Sequence, residues 1–163
     1  MTIDKQALRE AAEKATKGNY VVGHNNINQR GNLISVFVCQ EWRGEAGGVV
    51  AECHVNCLTE TSEQVYANAE FIAVANPRTM LALLDDLDVK EEQRLMRILA
   101  QRTQRGLKTG SDGFTTTTML AFDIGLNTRT LRRVLDAAVC AGTAERRDNG
   151  PGKPFSYRIR VRS

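Results

Sequence analysis

Three arginines lie close together in the segment TRTLRRVLDAAV, which begins at Thr128. Its apolar residues recur with the i, i+3, i+4 and i+7 spacing of an amphipathic helix, so the arginines lie off the buried stripe. A guanidinium is a fork of donors that can bind a guanine edge or a phosphate through two hydrogen bonds. The segment therefore predicts a helix that contacts nucleic acid. The candidate DNA-binding residues on it are Thr128, Arg129, Thr130, Arg132 and Arg133.

A shorter helix and a sharp turn are predicted just before this segment. Thr115 or Thr116 can cap the helix, Gly125 can supply a positive φ at its end, and Asn127 is a strong N-cap for the arginine-bearing helix. Leu126, inside the turn, is apolar and suited to the core. Two helices joined by a glycine-containing turn are typical of a helix-turn-helix, whose second helix enters the major groove with its N-terminal residues leading.

Two strands around a basic, turn-rich loop are predicted downstream, at 143–147 and 155–161. The candidate phosphate contacts there are Arg146, Arg147 and Lys153. The stretch FTTTTMLAFDIGLNTRTLRRVLDAAVCAG followed by TAERRDNGPGKPFSYRI resembles the winged helix-turn-helix family of prokaryotic transcriptional regulators. That resemblance implies binding of double-stranded DNA. The alternative is a winged helix that binds protein or RNA or only holds a dimer together.

The two halves of the chain differ in charge. Residues 1–88 contain 7 Lys and Arg against 12 Asp and Glu, a net charge of −5, whereas residues 89–163 contain 15 and 7, a net charge of +8. Asp88 and Glu91 also match a capping box, which predicts a new helix from 89 to about 105. We therefore expect an N-terminal module for assembly or sensing at 1–88 and a DNA-binding domain at 89–163.

The first half predicts a small antiparallel sheet with flanking helices. We expect a helix at 4–16 capped by Asp4, a helix starting at Ser62 and a new start at Pro77. Strands are predicted at 20–22, 33–40 and 48–57, with the polar segment EWRGEAGG between the last two and the polar loop HNNINQRGN after the first. The fold class is α+β: this sheet and its helices, then a C-terminal winged helix-turn-helix domain.

Two segments of this half, YANAEFIAVANPRTMLALLDDLD and DKQALREAAEKATKGNY, resemble the Ead-like family of early-region proteins in lambdoid phages and prophages. The resemblance covers about residues 1–88. It implies a phage or prophage origin and supplies no activity.

Catalysis and metal binding are not predicted. Cys53, His54 and Cys57 cannot converge on one ion, since on a strand His54 points away from both cysteines. We expect Cys39, Cys53, Cys57 and Cys140 to be free thiols rather than disulfides, with Cys53 and Cys57 as small buried groups on a sheet face. The sequence has no Gly-rich phosphate loop, so no cofactor is expected. Trp42 beside Arg43 is either an interaction anchor or a residue packed on its own sheet.

The predicted function is a transcriptional regulator that binds duplex DNA as a homodimer or higher homo-oligomer, in the cytoplasm of a bacterial host. A membrane partner is not expected, because the longest apolar run is far below the roughly 18–20 residues of a span. One alternative is a host-takeover protein that binds and inhibits a bacterial protein. Another is an accessory factor of replication or recombination.

Overall fold

The chain is an α+β protein. The computed structural model describes residues 4–57, 59 and 61–161, and the chain divides into two compact units, Met1–Asp86 and Leu87–Ser163. The helices are α1 Lys5–Lys14, α2 Ser62–Val74, α3 Pro77–Lys108, α4 Thr117–Ile124 and α5 Thr128–Cys140. The strands are β1 Tyr20–Ile27, β2 Leu33–Trp42, β3 Glu45–His54, β4 Thr115–Thr116, β5 Ala144–Arg147 and β6 Ser156–Ile159. Among the described residues, no helix has the length and apolar content needed to cross a membrane.

The first unit is built around an antiparallel sheet in the order β1-β2-β3. Val36 and Val38, which lie on one face of β2, pack against the stripe of α2 formed by Val65, Ala69 and Ala73. The two-residue period of the strand and the 3.6-residue period of the helix place these groups in one core. The small antiparallel sheet with a helix on it is the architecture expected from the sequence.

Two details of this sheet differ from the sequence expectation. β1 extends through Ile27, so the predicted strand 20–22 was too short and the predicted polar loop from His24 begins later. The polar residues stay in the strand because they pair with β2 and because Asn25 Nδ2 donates to the Tyr66 hydroxyl at 2.7 Å. The turn between β2 and β3 contracts to Arg43 and Gly44, whose φ values of 55° and 87° are those of a two-residue hairpin turn.

The helix starts follow their caps. Asp4 accepts from the backbone N–H of Ala7 at 3.0 Å, as expected. Thr61, not the predicted Ser62, caps α2 by accepting from the Gln64 N–H. Asn76 accepts from the Thr79 N–H at 3.0 Å, and Pro77, whose missing N–H costs nothing at a first helical position, opens α3.

The predicted helix start at residue 89 was wrong, because α3 runs unbroken from Pro77 to Lys108. The capping box of Asp88 and Glu91 does not start a new helix, because residues 78–105 contain neither Gly nor Pro to interrupt α3. Asp88 is exposed and Glu91 is partly buried within that helix. The predicted end near Arg105 was also early: Gly106 lies within the helix.

The second unit has one core. The second half of α3 contributes Leu95 and Leu99, α4 contributes Leu120, and a three-stranded sheet in the order β4-β6-β5 closes the unit. The other fully buried members are Leu131 and Leu135 of α5, Ala144 of β5 and Tyr157 of β6.

Candidate nucleic-acid interface

Two helix caps and a left-handed glycine define the turn between α4 and α5. Thr116 Oγ1 accepts from the Met119 N–H at 3.3 Å, and Gly125 ends α4 with a φ of 76°. Asn127 Oδ1 then accepts from the Thr130 N–H at 2.8 Å and starts α5. Leu126 packs against the core from inside the turn. Each of these four roles confirms a prediction made from the sequence.

The predicted buried stripe of α5 is also confirmed. Leu131 and Leu135 are fully buried, and Val134, Ala138 and Val139 pack around them. The candidate residues Thr128, Arg129, Arg132 and Arg133 are exposed, whereas Thr130 is partly buried. Within the described part of the chain, Arg129 and Arg133 have no carboxylate within ion-pair distance, so their charges remain available to a ligand.

Arg132 and Arg146 share one aromatic ring. Their guanidinium carbons lie 4.9 Å and 5.0 Å from the centroid of Phe155. Arg146 Nη1 also donates to Asp136 Oδ1 at 3.1 Å, and the buried hydroxyl of Tyr157 donates to the same oxygen at 2.8 Å. Asp136 holds the pKa of Arg146 above its ordinary value through that hydrogen bond and its charge. These contacts connect α5, β5 and β6.

Arg147 and Arg158 share a second ring, Phe114, at 3.8 Å and 4.6 Å from its centroid. Arg147 is ion-paired with Asp112 and donates a hydrogen bond to its carboxylate. That hydrogen bond holds the pKa of the Asp112 carboxyl below its ordinary value. Arg158 is ion-paired with Glu145 at 2.7 Å. Arg147, a predicted phosphate contact, is therefore already engaged by a carboxylate and a ring.

Lys153 is exposed in the loop between β5 and β6. Gly150 and Gly152 bend this loop with φ values of 99° and 72°. Asn149 fixes the base of the loop, since its side chain donates to the Pro154 carbonyl at 2.6 Å and to Ser156 Oγ at 2.7 Å. In the described residues, no carboxylate forms an ion pair with Lys153, which leaves its charge at the loop available.

A groove of about 250 Å³ lies between α3 and α5. Asp88, Glu91 and Glu92 line one side of it, and Thr130 and Arg133 line the other. Three carboxylates repel a phosphate. This side of α5 is therefore less suited to a nucleic-acid backbone than the side that faces the β5–β6 hairpin.

In the described residues, the cysteines and histidines of the first unit do not form a cluster that could hold a metal ion. Cys39 is buried and Cys53 partly buried, and burial raises the pKa of the Cys53 thiol. Cys57 lies beyond the end of β3 and is exposed, so the expectation of a buried thiol was wrong for this residue; Cys140 is exposed as well. His24 packs on the ring of Phe37 at 4.7 Å, and His54 lies 3.5 Å from Glu52. Trp42 is exposed, with the Arg43 guanidinium over its ring.

The Ead/Ea22-like protein family matches residues 1–148. The chain belongs to this family. Membership supports a phage or prophage protein, as the sequence resemblance implied. The match extends beyond the range 1–88 of that resemblance, through α5 and into the β5–β6 hairpin. No curated protein and no solved structure matches the chain.

In this Ead/Ea22-like chain, the residues that sequence reasoning missed are the ones that orient the arginines: Phe114, Asp136, Phe155 and Tyr157. Their partners lie nine or more residues away along the chain. The sequence signal was a Phe immediately before two of the three strands of the second sheet, Phe114 before β4 and Phe155 before β6.

Proposed function

We propose that this phage-type protein binds duplex DNA through its second unit and acts as a transcriptional regulator. The order of helix, short strand, helix, turn, helix and strand pair supports a winged helix interpretation. In that interpretation α5 is the recognition helix, the β5–β6 hairpin is the wing, and the role is binding rather than catalysis.

The observation that carries this proposal is the position of Arg129. It lies in the first turn of α5, exposed and without a carboxylate partner in the described residues. A free guanidinium at the leading end of such a helix is suited to the O6 and N7 acceptors of guanine in the major groove. The charge of +8 over residues 89–163 adds sequence-independent attraction to the phosphates.

A homodimer is part of the proposal, because one helix and one wing read only a few base pairs and a two-fold pair extends the site. In the first unit, α2 exposes Phe71 and Val74 three residues apart on its surface, with Phe71 73% exposed. An apolar stripe of this kind supports an interface with a second copy. A cytoplasmic location in the bacterial host follows from the proposed partner and stays a prediction.

One observation favours the alternative function, inhibition of a bacterial host protein. Phe122 on α4 is 91% exposed, and Met119, one helical turn earlier, is 51% exposed. A side chain this apolar and this accessible is characteristic of a protein-binding anchor. On the same helix, Leu120 and Ile124 fill the core instead.

Selection of the full chain on a library of random duplexes separates the two functions. Enrichment of one sequence motif, with binding that weakens as salt rises, is the result expected of the regulator. Absence of binding to any duplex at low salt contradicts DNA binding and leaves the host-protein function, for which Phe122→Ser is then the first variant to examine.

A further inference from the structure

We propose that Arg132 and Arg146 bind a single backbone phosphate together, with the ring of Phe155 as their shared platform. This inference rests on the proposed function. It assigns Arg132 to the DNA backbone, although the sequence placed it among the residues that read bases.

Arg132 and Arg146 approach the same aromatic ring, that of Phe155, from two different elements. Both guanidinium carbons are about the same distance from one centroid, 4.9 Å and 5.0 Å, although Arg132 belongs to α5 and Arg146 to β5. Contact with an aromatic face orients the plane of each guanidinium and restricts its rotation. Because each guanidinium carbon is about 5 Å from the same centroid, the two lie no more than about 10 Å apart, where the helix meets the hairpin.

The charged side chains around Phe155 do not balance one another. Arg132 and Arg146 contribute two positive charges and Asp136 one negative charge, so the cluster carries a net charge of +1. Asp136 Oδ1 already accepts from Arg146 and from Tyr157, whereas Arg132 has no carboxylate partner among the described residues. A phosphodiester carries one negative charge and two free oxygens, so it balances the cluster and accepts a hydrogen bond from each arginine.

The Phe114 cluster provides the contrast. Its two ring-bound arginines, Arg147 and Arg158, are each ion-paired, with Asp112 and Glu145 respectively. Arg158 Nη1 also donates to the backbone carbonyl of Asp112 at 2.9 Å. Each of the two ring-bound arginines therefore has its own carboxylate, and Glu145 also lies 3.8 Å from Arg160 Nε. The arrangement of two arginines on one ring is therefore structural at Phe114. At Phe155 the two arginines are accompanied by one carboxylate, which leaves one positive charge unbalanced.

The Arg132 guanidinium is turned toward the hairpin, since it lies over the ring of Phe155, the residue that precedes β6. Arg129, one turn earlier on α5, has no carboxylate partner among the described residues. Base reading then belongs to Arg129, and Arg132 anchors the backbone between helix and wing.

The test uses the full chain, a selected duplex and a scrambled duplex at several salt concentrations, with Arg132→Ala, Arg146→Ala and the double variant. Each single change is expected to weaken binding to both duplexes by about the same factor, roughly tenfold, without changing base preference. Because both arginines bind one phosphate, the slope of log affinity against log salt is expected to fall by about 0.9 in each single variant and by no more in the double variant.

Phe155→Leu and Phe114→Leu are the matched controls for the platform. Phe155→Leu is expected to weaken binding and to abolish the coupling between Arg132 and Arg146, whereas Phe114→Leu leaves both unchanged. Thermal unfolding checks that each variant is folded, and if Phe155→Leu is not, the coupling in the arginine variants decides alone.

Failure of the shared phosphate site and failure of DNA binding give different results in this test. If the wild-type chain binds no duplex at low salt, both proposals fail. If it binds, but Arg132→Ala changes preference at particular base pairs, or the double variant loses about two units of salt slope, the shared phosphate site is wrong and DNA binding stands.

Discussion

The hydroxyl of Tyr157 donates a hydrogen bond to Asp136 Oδ1 at 2.8 Å. This bond joins β6 to the outer side of α5, and the ring of Tyr157 is fully buried in the core of the second unit. The same carboxylate oxygen also accepts from Arg146, so one side chain of the arginine-bearing helix is hydrogen-bonded to both strands of the hairpin.

The first prediction concerns the pH dependence of stability. Burial, and then the bond to Asp136, raise the pKa of Tyr157 from 10.0 to about 12, so the folded chain holds this proton more tightly than the unfolded chain. The protonated Tyr157 hydroxyl therefore adds to the free energy of unfolding fully below pH 10, and this stabilisation is lost as the pH rises from 10 to about 12. Urea unfolding between pH 8 and 12 measures it.

Tyr157→Phe is the control for that measurement. At neutral pH it is expected to lower the free energy of unfolding by about 1.5–3 kcal/mol, because one hydrogen bond to a charged acceptor is lost. It should also remove the extra loss of stability between pH 10 and 12. Parallel pH curves for the wild type and Tyr157→Phe would show that this proton is not linked to folding.

The second prediction tests the turn before α5. Gly125 has a φ of 76°, and an added Cβ there meets no described atom within 4 Å. Gly125→Ala therefore adds only backbone strain, and it is expected to destabilise the chain by about 1 kcal/mol. Gly48→Ala, which also places its Cβ in open space but at a residue without a positive φ, serves as the control and should be nearly neutral. Equal effects of the two changes would mean that the left-handed turn is not a constraint.

The third prediction concerns the close approach of β1 and β2. A Cβ on Gly23 would lie 2.6 Å from Cys39 Sγ, and Cys39 is fully buried. Gly23→Ala is expected to lower the free energy of unfolding by about 1–3 kcal/mol through overpacking. Combining it with Cys39→Ala removes the clashing sulfur, so the double variant should be more stable than the two single effects predict. Simple additivity would rule out this clash as the cause.

The elements that sequence reasoning placed correctly are those with local signals. The ends of α4 and α5 depend on Thr116, Gly125 and Asn127, and each acts within four residues of itself. Caps and left-handed glycines are readable from sequence because the groups they satisfy are adjacent in the chain.

The errors came from features that depend on distant partners or on context. Asn25 is a poor strand former, but pairing with β2 and the bond to Tyr66 keep it in β1. The capping box at Asp88 is a real local pattern, yet a helix continues through it when no breaker is present. The engagement of Arg146 and Arg147 depends on carboxylates 10 and 35 residues away, which no local pattern reveals.

The fourth prediction tests the proposed homodimer. Phe71→Gln is expected to weaken self-association at least about tenfold, because a large exposed ring is removed from the contact. Since Phe71 is 73% exposed, the stability of the monomer should hardly change. Sedimentation at several concentrations measures the association, with Glu70→Gln on the same helix as the control. A wild-type chain that stays monomeric throughout contradicts the dimer.

Base reading by Arg129 of α5 is tested most directly by the affinity of Arg129→Ala for a selected and a scrambled duplex across a range of salt concentrations. We expect a loss of about 1–3 kcal/mol on the selected duplex, a smaller loss on the scrambled one, and relaxed preference at particular base pairs. If the wild type binds DNA and Arg129→Ala leaves both affinity and preference unchanged, α5 does not enter the groove, and its arginines form a solvated basic face.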